Sequence, residues 1–167
     1  MDTAKGIGIF ASNPGPLTDY EGPEKYKNPP LPHIAIPTTA GTGSEVSYGA
    51  AFFDEERCYK FSVRSSMQIP KVALLDPLLL QTLPAKLAAA TGMDALTHAI
   101  EAYVSRWSTF ITDALCRQNF RLVGRYLRRL VADSSDIEAA GAMLQASSMG
   151  AMAFNTARLG LVHAMSH

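Results

Sequence analysis

Two pairs of potential metal ligands stand out in the sequence, and each pair is spaced by four residues. Asp94 and His98 form the first pair, within the stretch 91–105, and His163 and His167 form the second. If both segments are helical, residues i and i+4 project from one face, so the two side chains of each pair can bind one cation. An isolated acid and histidine at this spacing are more often an ordinary contact on a surface helix. A second pair in the same chain favours a metal site.

The donor atoms of these side chains indicate which metals would fit. They offer carboxylate oxygen and imidazole nitrogen without sulfur, a set that suits Fe²⁺, Zn²⁺ or Mn²⁺ and hardly suits Cu⁺ or Ca²⁺. Glu101 lies seven residues beyond Asp94 on roughly the same helix face. It is either a partner that orients a metal ligand or, as is more usual for a helix acid, an exposed side chain.

The stretch 38–47 is a candidate binding loop. It follows a short apolar run at 33–37 and is rich in threonine, serine and glycine. Such residues let hydroxyl and backbone N–H groups approach an anion closely, as phosphate-binding turns do. Residues 42–45 also fit a capping box at the start of a helix. The residues alone leave an anion-binding turn and a capped helix start as open alternatives.

The elements that position these residues differ between the two parts of the chain. In residues 1–83 the pattern predicts a helix at 4–10 and several short apolar strands, two of which are joined as a hairpin. The predicted strands are 33–37, 50–53, 59–63 and 71–75. From Pro84 onward strand-like alternation stops, and helical patterns follow one another. The predicted helices are 84–90, 91–105, 110–132, 137–154 and 159–167. We therefore predict a partial α/β nucleotide-binding domain over 1–83 and a partial all-helical, metal-binding domain over 84–167.

The composition argues against several classes of function. The 167 residues include fifteen basic and fifteen acidic side chains, so no net charge attracts nucleic acid or an anionic membrane. No apolar run approaches the roughly 18 residues that span a membrane. The two cysteines form neither a disulfide framework nor a C-x-x-C motif, and no signal peptide is recognisable. These features favour a cytoplasmic protein.

Five segments together resemble the iron-dependent (group III) alcohol dehydrogenases. In chain order they are MDTAK at 1–5, PTTAGTGSEVS at 37–47, LLDP at 74–77, TGMDALTHAIEAYVS at 91–105 and LGLVHAMSH at 159–167. The resemblance implies a Rossmann-like domain followed by a helical domain, with the active site in the cleft between them. It further implies a divalent metal, foremost Fe²⁺, and NAD or NADP, with hydride transfer between the nicotinamide and a metal-bound alcohol or carbonyl. A homo-oligomer such as a dimer is a further expectation.

The resemblance also implies roles for individual residues. Asp94, His98 and His163 match metal ligands of the family, and His167 matches a catalytic histidine near the nicotinamide. The residues that match cofactor-binding positions are Asp2, Thr38, Thr39, Thr42, Ser47 and Lys60. Arg158 occupies a position where the family favours a small residue.

Two family features are absent from the sequence, and two other interpretations remain. The Gly-Gly-Gly-Ser phosphate turn is expected before Met1 and the fourth metal ligand after His167, so we expect an internal piece of a longer enzyme. Such a piece is expected to bind metal weakly and to turn over little or not at all. One alternative is a dehydroquinate-synthase-like lyase, which typically has glutamate at the position of Asp94. The other is a non-catalytic folded fragment that acts only in oligomerisation.

Overall fold

The computed structural model describes residues 1–166, and the chain forms two compact units. The first consists of Met1–Ala35 and Ser44–Ala73, and the second of Ile36–Gly43 and the chain from Leu74 onward. The loop 36–43 is thus part of the unit that contains the long helices. The predicted domain division at residue 83 stays a prediction.

The first unit opens with helix α1, which spans Asp2–Ser12 and covers the predicted helix at 4–10. The helix ends at Asn13, whose side chain is tied to a later loop. Asn13 Nδ2 donates to the Asn28 carbonyl at 3.0 Å, and Asn28 N–H donates back to Asn13 Oδ1 at 3.0 Å. A polar side chain thus ends α1 and holds the polar connection that follows it.

Five short strands complete the first unit, and their bounds are β1 Gly22–Pro23, β2 Ile34–Ala35, β3 Gly49–Asp54, β4 Tyr59–Arg64 and β5 Val72–Ala73. Strands β3 and β4 pair as an antiparallel hairpin, and β1 adds to β4 in parallel. Strands β2 and β5 form a separate parallel pair. The predicted hairpin is confirmed. The predicted strands 33–37 and 71–75 are present only as the two-residue strands β2 and β5, and the expectation that they are buried is wrong, because β2 buries one side chain and β5 none.

The core of the first unit lies between α1 and the hairpin. Ile9 from α1 packs in one apolar cluster with Phe61 and Val63 from β4 and with Tyr26. The alternation of exposed and buried residues in β4 places Phe61 and Val63 on the same face of the strand. One face of a two-stranded hairpin is therefore covered by a helix, which a hairpin needs for stability.

The second unit is helical, and its helices are α2 Ala85–Tyr103, α3 Phe110–Ala132, α4 Ile137–Ala157 and α5 Leu161–Ser166. The predicted bounds of α3 are confirmed. Its start is fixed by a capping box in which Thr109 accepts from Thr112 N–H at 3.2 Å and Thr109 N–H donates to Thr112 Oγ1 at 2.7 Å. The described helices include none that is long and apolar enough to cross a membrane.

The predicted break near Gly92 is wrong, because α2 runs without interruption through this residue. The glycine is instead required by packing. A Cβ atom at Gly92 would lie 2.2 Å from Leu127 Cδ1 of α3 and 3.2 Å from Met143 Cε of α4. The missing side chain therefore lets α3 and α4 approach α2, and it does not end a helix.

The predicted capping box at 42–45 is also wrong. Residues 44–46 form a turn, and the chain then enters β3 at Gly49 instead of a helix. The Ser47 carbonyl accepts a hydrogen bond from Lys5 Nζ at 2.9 Å, and Ser44 Oγ donates to Asp2 Oδ1 at 2.9 Å. Side chains of α1 thus form hydrogen bonds with this turn and with the residue that follows it.

Candidate metal centre

Asp94, His98 and His163 come together in the second unit, with one ligand atom of each within 4.8 Å of the others. Asp94 Oδ1 is 3.6 Å from His98 Nε2 and 3.3 Å from His163 Nε2. The two imidazole rings stack at a centroid distance of 4.4 Å and an interplanar angle of 20°. Both Nε2 atoms therefore face one carboxylate, and this convergence is what binding of a single cation requires.

Burial keeps His98 in the form that binds a metal. The side chain is 5% exposed, and removal from water lowers the pKa of His98 to about 4. The neighbouring His163 acts in the same direction, while Asp94 and the backbone of Gly41 oppose the shift. A neutral imidazole is the species that donates its lone pair to a cation. His98 is therefore ready to bind a metal at neutral pH without first losing a proton.

Glu101 holds the opposite side of the His163 ring. Its Oε2 lies 2.5 Å from His163 Nδ1, and its Oε1 accepts a hydrogen bond from Val162 N–H at 2.8 Å. Burial alone would raise the pKa of Glu101, but hydrogen bonds from Gly160, His163 and Val162 hold it below its ordinary value. The side chain is 7% exposed, so the expectation of an exposed helix acid is wrong.

Helix α4 packs directly behind His98. The Phe154 ring lies 4.8 Å from the His98 ring between centroids. At Gly150 a Cβ atom would be 3.2 Å from the Ala95 carbonyl oxygen and 3.4 Å from His98 Cβ. The small residues of α4 therefore lie against the helix that carries two of the three candidate ligands.

A buried asparagine joins the three long helices beside this contact. Asn119 of α3 donates from Nδ2 to the Ala95 carbonyl of α2 at 3.2 Å and to the Ala146 carbonyl of α4 at 2.7 Å. Its side chain is fully buried. The sequence analysis did not single out Asn119, although a polar residue on the apolar stripe of α3 is a detectable sign of such a bond.

The loop that carries Thr38, Thr39 and Thr42 packs closely on the helices of the second unit. At Gly41 a Cβ atom would lie 2.6 Å from the Thr91 carbonyl oxygen of α2. At Gly43, which has φ of +61°, it would lie 2.2 Å from Ala151 Cβ of α4. Thr38 and Thr42 are exposed, and Thr39 is half-buried. The two glycines are thus needed for close contact between this loop and the helices.

The remaining candidate cofactor residues belong to the first unit. Asp2 accepts hydrogen bonds from Ser44 Oγ and from Ala51 N–H, each at 2.9 Å. Ser47 is buried, and its Oγ accepts from Lys5 Nζ at 3.1 Å. Lys60 is exposed on β4. Two of these three side chains therefore take part in hydrogen bonds within the unit.

Lys5 is a buried lysine that the sequence analysis did not identify. It is 1% exposed, and Nζ donates to the Ser47 carbonyl and the Gly49 carbonyl, each at 2.9 Å. Burial lowers the pKa of Lys5 to about 8, against the attraction of Asp2 and Glu45. The position of Lys5 in the MDTAK segment is the only sequence feature that could have drawn attention to it.

Two family models match the chain in succession. The model described as iron-containing alcohol dehydrogenase matches residues 1–77, and that of the Fe-containing alcohol dehydrogenase family, C-terminal, matches residues 88–167. The chain belongs to the iron-containing alcohol dehydrogenase family. The recognition based on five sequence segments is thereby confirmed.

Relatives within the iron-containing alcohol dehydrogenases share close to half of the aligned residues. The NAD-dependent methanol dehydrogenase of Bacillus methanolicus is 48% identical over 166 residues, which are 99% of this chain and 44% of the relative. The 1,3-propanediol dehydrogenase of Klebsiella pneumoniae is also 48% identical, with 43% of its length covered. The chain thus spans less than half the length of these relatives.

A solved iron-containing alcohol dehydrogenase structure has the same fold over the matched region. The crystal structure of 1,3-propanediol oxidoreductase superposes with a TM-score of 0.96 at 48% identity, covering 99% of this chain and 44% of that one. The family fold, with a small sheet and mostly helical structure, is therefore confirmed for this chain. A Rossmann-like identity of its first part stays a prediction.

The structure brings together the three predicted metal ligands, and their ligand role remains a prediction. The same holds for the cofactor role of Asp2, Ser47, Lys60 and the three threonines. His167 lies outside the described residues. Arg158 is exposed at the end of α4, and its guanidinium carbon lies 4.5 Å from the centroid of the Trp107 ring.

Proposed function

We propose that this chain provides part of the active site of an alcohol dehydrogenase or aldehyde reductase that depends on a divalent metal and on NAD or NADP. The reaction is hydride transfer between the nicotinamide and a small alcohol or carbonyl compound. The observation that carries the proposal is the convergence of Asp94, His98 and His163 within 4.8 Å. The family assignment and the relatives named as alcohol dehydrogenases support it.

The three side chains fit a divalent cation of the first transition series. One carboxylate and two imidazoles form a nitrogen and oxygen donor set that suits Fe²⁺, Zn²⁺ or Mn²⁺, with Fe²⁺ favoured by the family. Asp94 supplies a carboxylate oxygen, and the buried His98 and His163 supply imidazole nitrogens. When bound, the metal ion supplies Lewis acidity to the oxygen of an alcohol or carbonyl substrate.

The proposed cofactor contacts are hydroxyl groups and backbone N–H groups of the loop 38–43. The exposed Thr38 and Thr42 and the half-buried Thr39 are proposed to bind the pyrophosphate and ribose of the dinucleotide. Asp2, Ser47 and Lys60 are proposed to contribute from the first unit. One relative, a sulfoacetaldehyde reductase of Bifidobacterium kashiwanohense that is 35% identical, was solved in complex with NAD⁺.

His167 is proposed to move the proton that the substrate oxygen gains or loses. An imidazole has an ordinary pKa near 6.5, which suits proton transfer at neutral pH. A cytoplasmic location and a homo-oligomeric state remain predictions. The lyase alternative is not favoured, since the relatives named above are dehydrogenases and reductases.

Metal titration of the purified 167-residue chain tests the proposal. After chelation and buffer exchange, Co²⁺ is added under anaerobic conditions and the visible absorption of the bound ion is recorded. We expect one bound ion per chain, and Asp94→Asn is expected to weaken binding at least tenfold. Arg121→Gln, which changes an exposed residue of α3, is the control and should bind as the unmodified chain does. Binding that is unaffected by Asp94→Asn would contradict the assignment of the ligands.

An NAD(P)H-linked aldehyde reduction assay provides the second measurement. Any turnover is expected to require added metal and to disappear in Asp94→Asn. The non-catalytic alternative predicts a different result. If the chain acts only in oligomerisation, replacing both Asp94 and His98 by alanine would leave its oligomeric state and its role unaltered. Turnover that persists in the chelated protein would refute the proposed role of the metal.

A further inference from the structure

We infer that Glu101 is a positioning residue of the candidate metal centre. Its carboxylate keeps the proton of His163 on Nδ1, so that Nε2 is the nitrogen available to a cation, and the same carboxylate fixes the start of the helix that carries His163. The inference deepens the proposed function and rests on it.

The first argument is that the two carboxylate oxygens of Glu101 have different partners. Oε2 is 2.5 Å from His163 Nδ1, and Oε1 accepts from Val162 N–H at 2.8 Å. Since Oε1 already accepts a hydrogen bond and Oε2 faces the ring, we assign the carboxylate as the acceptor in both contacts and the shared hydrogen to Nδ1. The imidazole is then held with Nε2 directed to Asp94 Oδ1, which is 3.3 Å away.

The second argument is the close approach of the backbone to this carboxylate. A Cβ atom at Gly160 would lie 2.9 Å from Glu101 Oε1 and 3.2 Å from its carboxyl carbon. A side chain at residue 160 would have to displace the Glu101 carboxylate, so the glycine lets the segment before α5 pass this close to the acid. Helix α5 has only six residues, and contacts with Glu101 help to hold the backbone around His163 in place.

The third argument is position along α2. Asp94, His98 and Glu101 are spaced by four and three residues, so all three lie on one face of the helix. Two of them are candidate ligands, and the third binds the ring of the ligand that comes from α5. Helix α2 thus orients His163 although it does not carry it. Carboxylates that hold the second nitrogen of a metal-bound histidine typically affect metal affinity by 10- to 100-fold.

Glu101→Gln separates this role from simple space filling, because it keeps the size of the side chain and has only one acceptor oxygen. If that oxygen accepts from Val162, the amide nitrogen faces His163 Nδ1 and displaces the proton to Nε2, where it blocks a cation. If the amide is turned over, the backbone N–H of Val162 loses its acceptor. In either orientation the variant loses one of the two contacts.

We expect Glu101→Gln to weaken Zn²⁺ binding by 10- to 100-fold in competition with a chromophoric chelator. The matched control is Glu56→Gln, which makes the same chemical change at an exposed acid in the turn after β3 and should leave Zn²⁺ affinity unchanged. Equal affinities of Glu101→Gln and Glu56→Gln would overturn the inference. If the unmodified chain binds no Zn²⁺ at all, the proposed function fails. The inference about Glu101 is then decided by which nitrogen of the His163 ring carries the proton.

Long-range ¹H–¹⁵N NMR correlations of the His163 ring give that independent readout. In the unmodified chain Nδ1 is expected to carry a proton both without metal and with Zn²⁺. In Glu101→Gln the metal-free ring is expected to lose this proton when the amide oxygen accepts from Val162 N–H and the amide nitrogen faces Nδ1. A merely structural glutamate would leave the protonation pattern of the ring unaltered. An unprotonated Nδ1 in the unmodified chain would overturn the inference even if the variant failed to fold.

Discussion

Replacement of Asn119 by aspartate tests whether one buried amide joins the three long helices. Asn119 Nδ2 donates to carbonyl oxygens of α2 and α4 at 3.2 Å and 2.7 Å, and the side chain is fully buried. Asn119→Asp keeps the shape but replaces this donor by a group that, when ionised, only accepts hydrogen bonds. A buried carboxylate would then face two carbonyl oxygens, and ionisation there is strongly disfavoured.

The magnitude follows from two effects of different pH dependence. A protonated carboxyl group has one donor, so at least one of the two hydrogen bonds is lost at every pH, at a cost of about 1 kcal/mol. The folded state raises the pKa of the new carboxyl group above its unfolded value of about 3.9, so unfolding is favoured increasingly as pH rises above that value. The slope is about 1.4 kcal/mol per pH unit until the folded pKa is reached. Between pH 4 and pH 7 the free energy of unfolding should therefore fall by about 4 kcal/mol.

Urea unfolding followed by circular dichroism between pH 4.5 and 7.5 measures this slope. Asn119→Leu is the control, because it removes the same hydrogen bonds, has similar volume and adds no titratable group. Taking the difference between the two variants cancels the other titrating groups of the protein. We expect that difference to grow steadily with pH. A slope below about 0.5 kcal/mol per pH unit would refute the argument, since it would mean that water or relaxation stabilises the charge at this position.

Three further substitutions test other close contacts. Gly43→Ala should lower the free energy of unfolding by more than about 2 kcal/mol, because its Cβ would lie 2.2 Å from that of Ala151 at a φ of +61°. Its control, Gly124→Ala in the open surface of α3, should raise it by about 0.5 to 1 kcal/mol in the same urea titration. Burial lowers the pKa of Lys5 to about 8, so between about pH 8 and about pH 10.5 the unfolded chain binds a proton that the folded chain does not. Over this range the free energy of unfolding of the unmodified chain, measured relative to that of Lys5→Met, should rise by about 1.4 kcal/mol per pH unit. A difference that does not change with pH would contradict the lowered pKa. Arg158→Gly should stabilise by about 1 kcal/mol, because Arg158 has φ of 67° and ψ of 176°, a backbone region that favours glycine; a lower melting temperature would show that its side-chain contact outweighs the strain.

The elements that could be predicted from the sequence are those fixed by local features. Helix α3 has the predicted bounds 110–132, because a continuous apolar stripe runs between a threonine cap and an aspartate at its end. The hairpin of β3 and β4 was predictable from two apolar runs joined by the polar turn 54–57. Each of these features depends on residues close to one another in the chain.

Two of the wrong predictions share a cause, since both concern glycines or hydroxyl residues whose partners are distant in sequence. Gly92 was interpreted as a helix end, but its role depends on Leu127 and Met143 from other helices. The stretch 42–45 was interpreted as a capping box, but its neighbours are bonded by Asp2 and Lys5. Local propensity has little weight where a buried contact of this kind decides the backbone path.

One part of the candidate metal centre could be predicted from the sequence, and the other part could not. The pair Asp94 and His98 follows from helical spacing alone, whereas the approach of His163 depends on a backbone segment that packs on Glu101. Sequence analysis favoured an exposed Glu101 because most helix acids are exposed. A buried acid must be paired, and the partners of this acid are a ring nitrogen and a backbone N–H at the start of another helix. Since neither partner is close in sequence, only the structure could show that the acid beside the predicted ligands positions one of them.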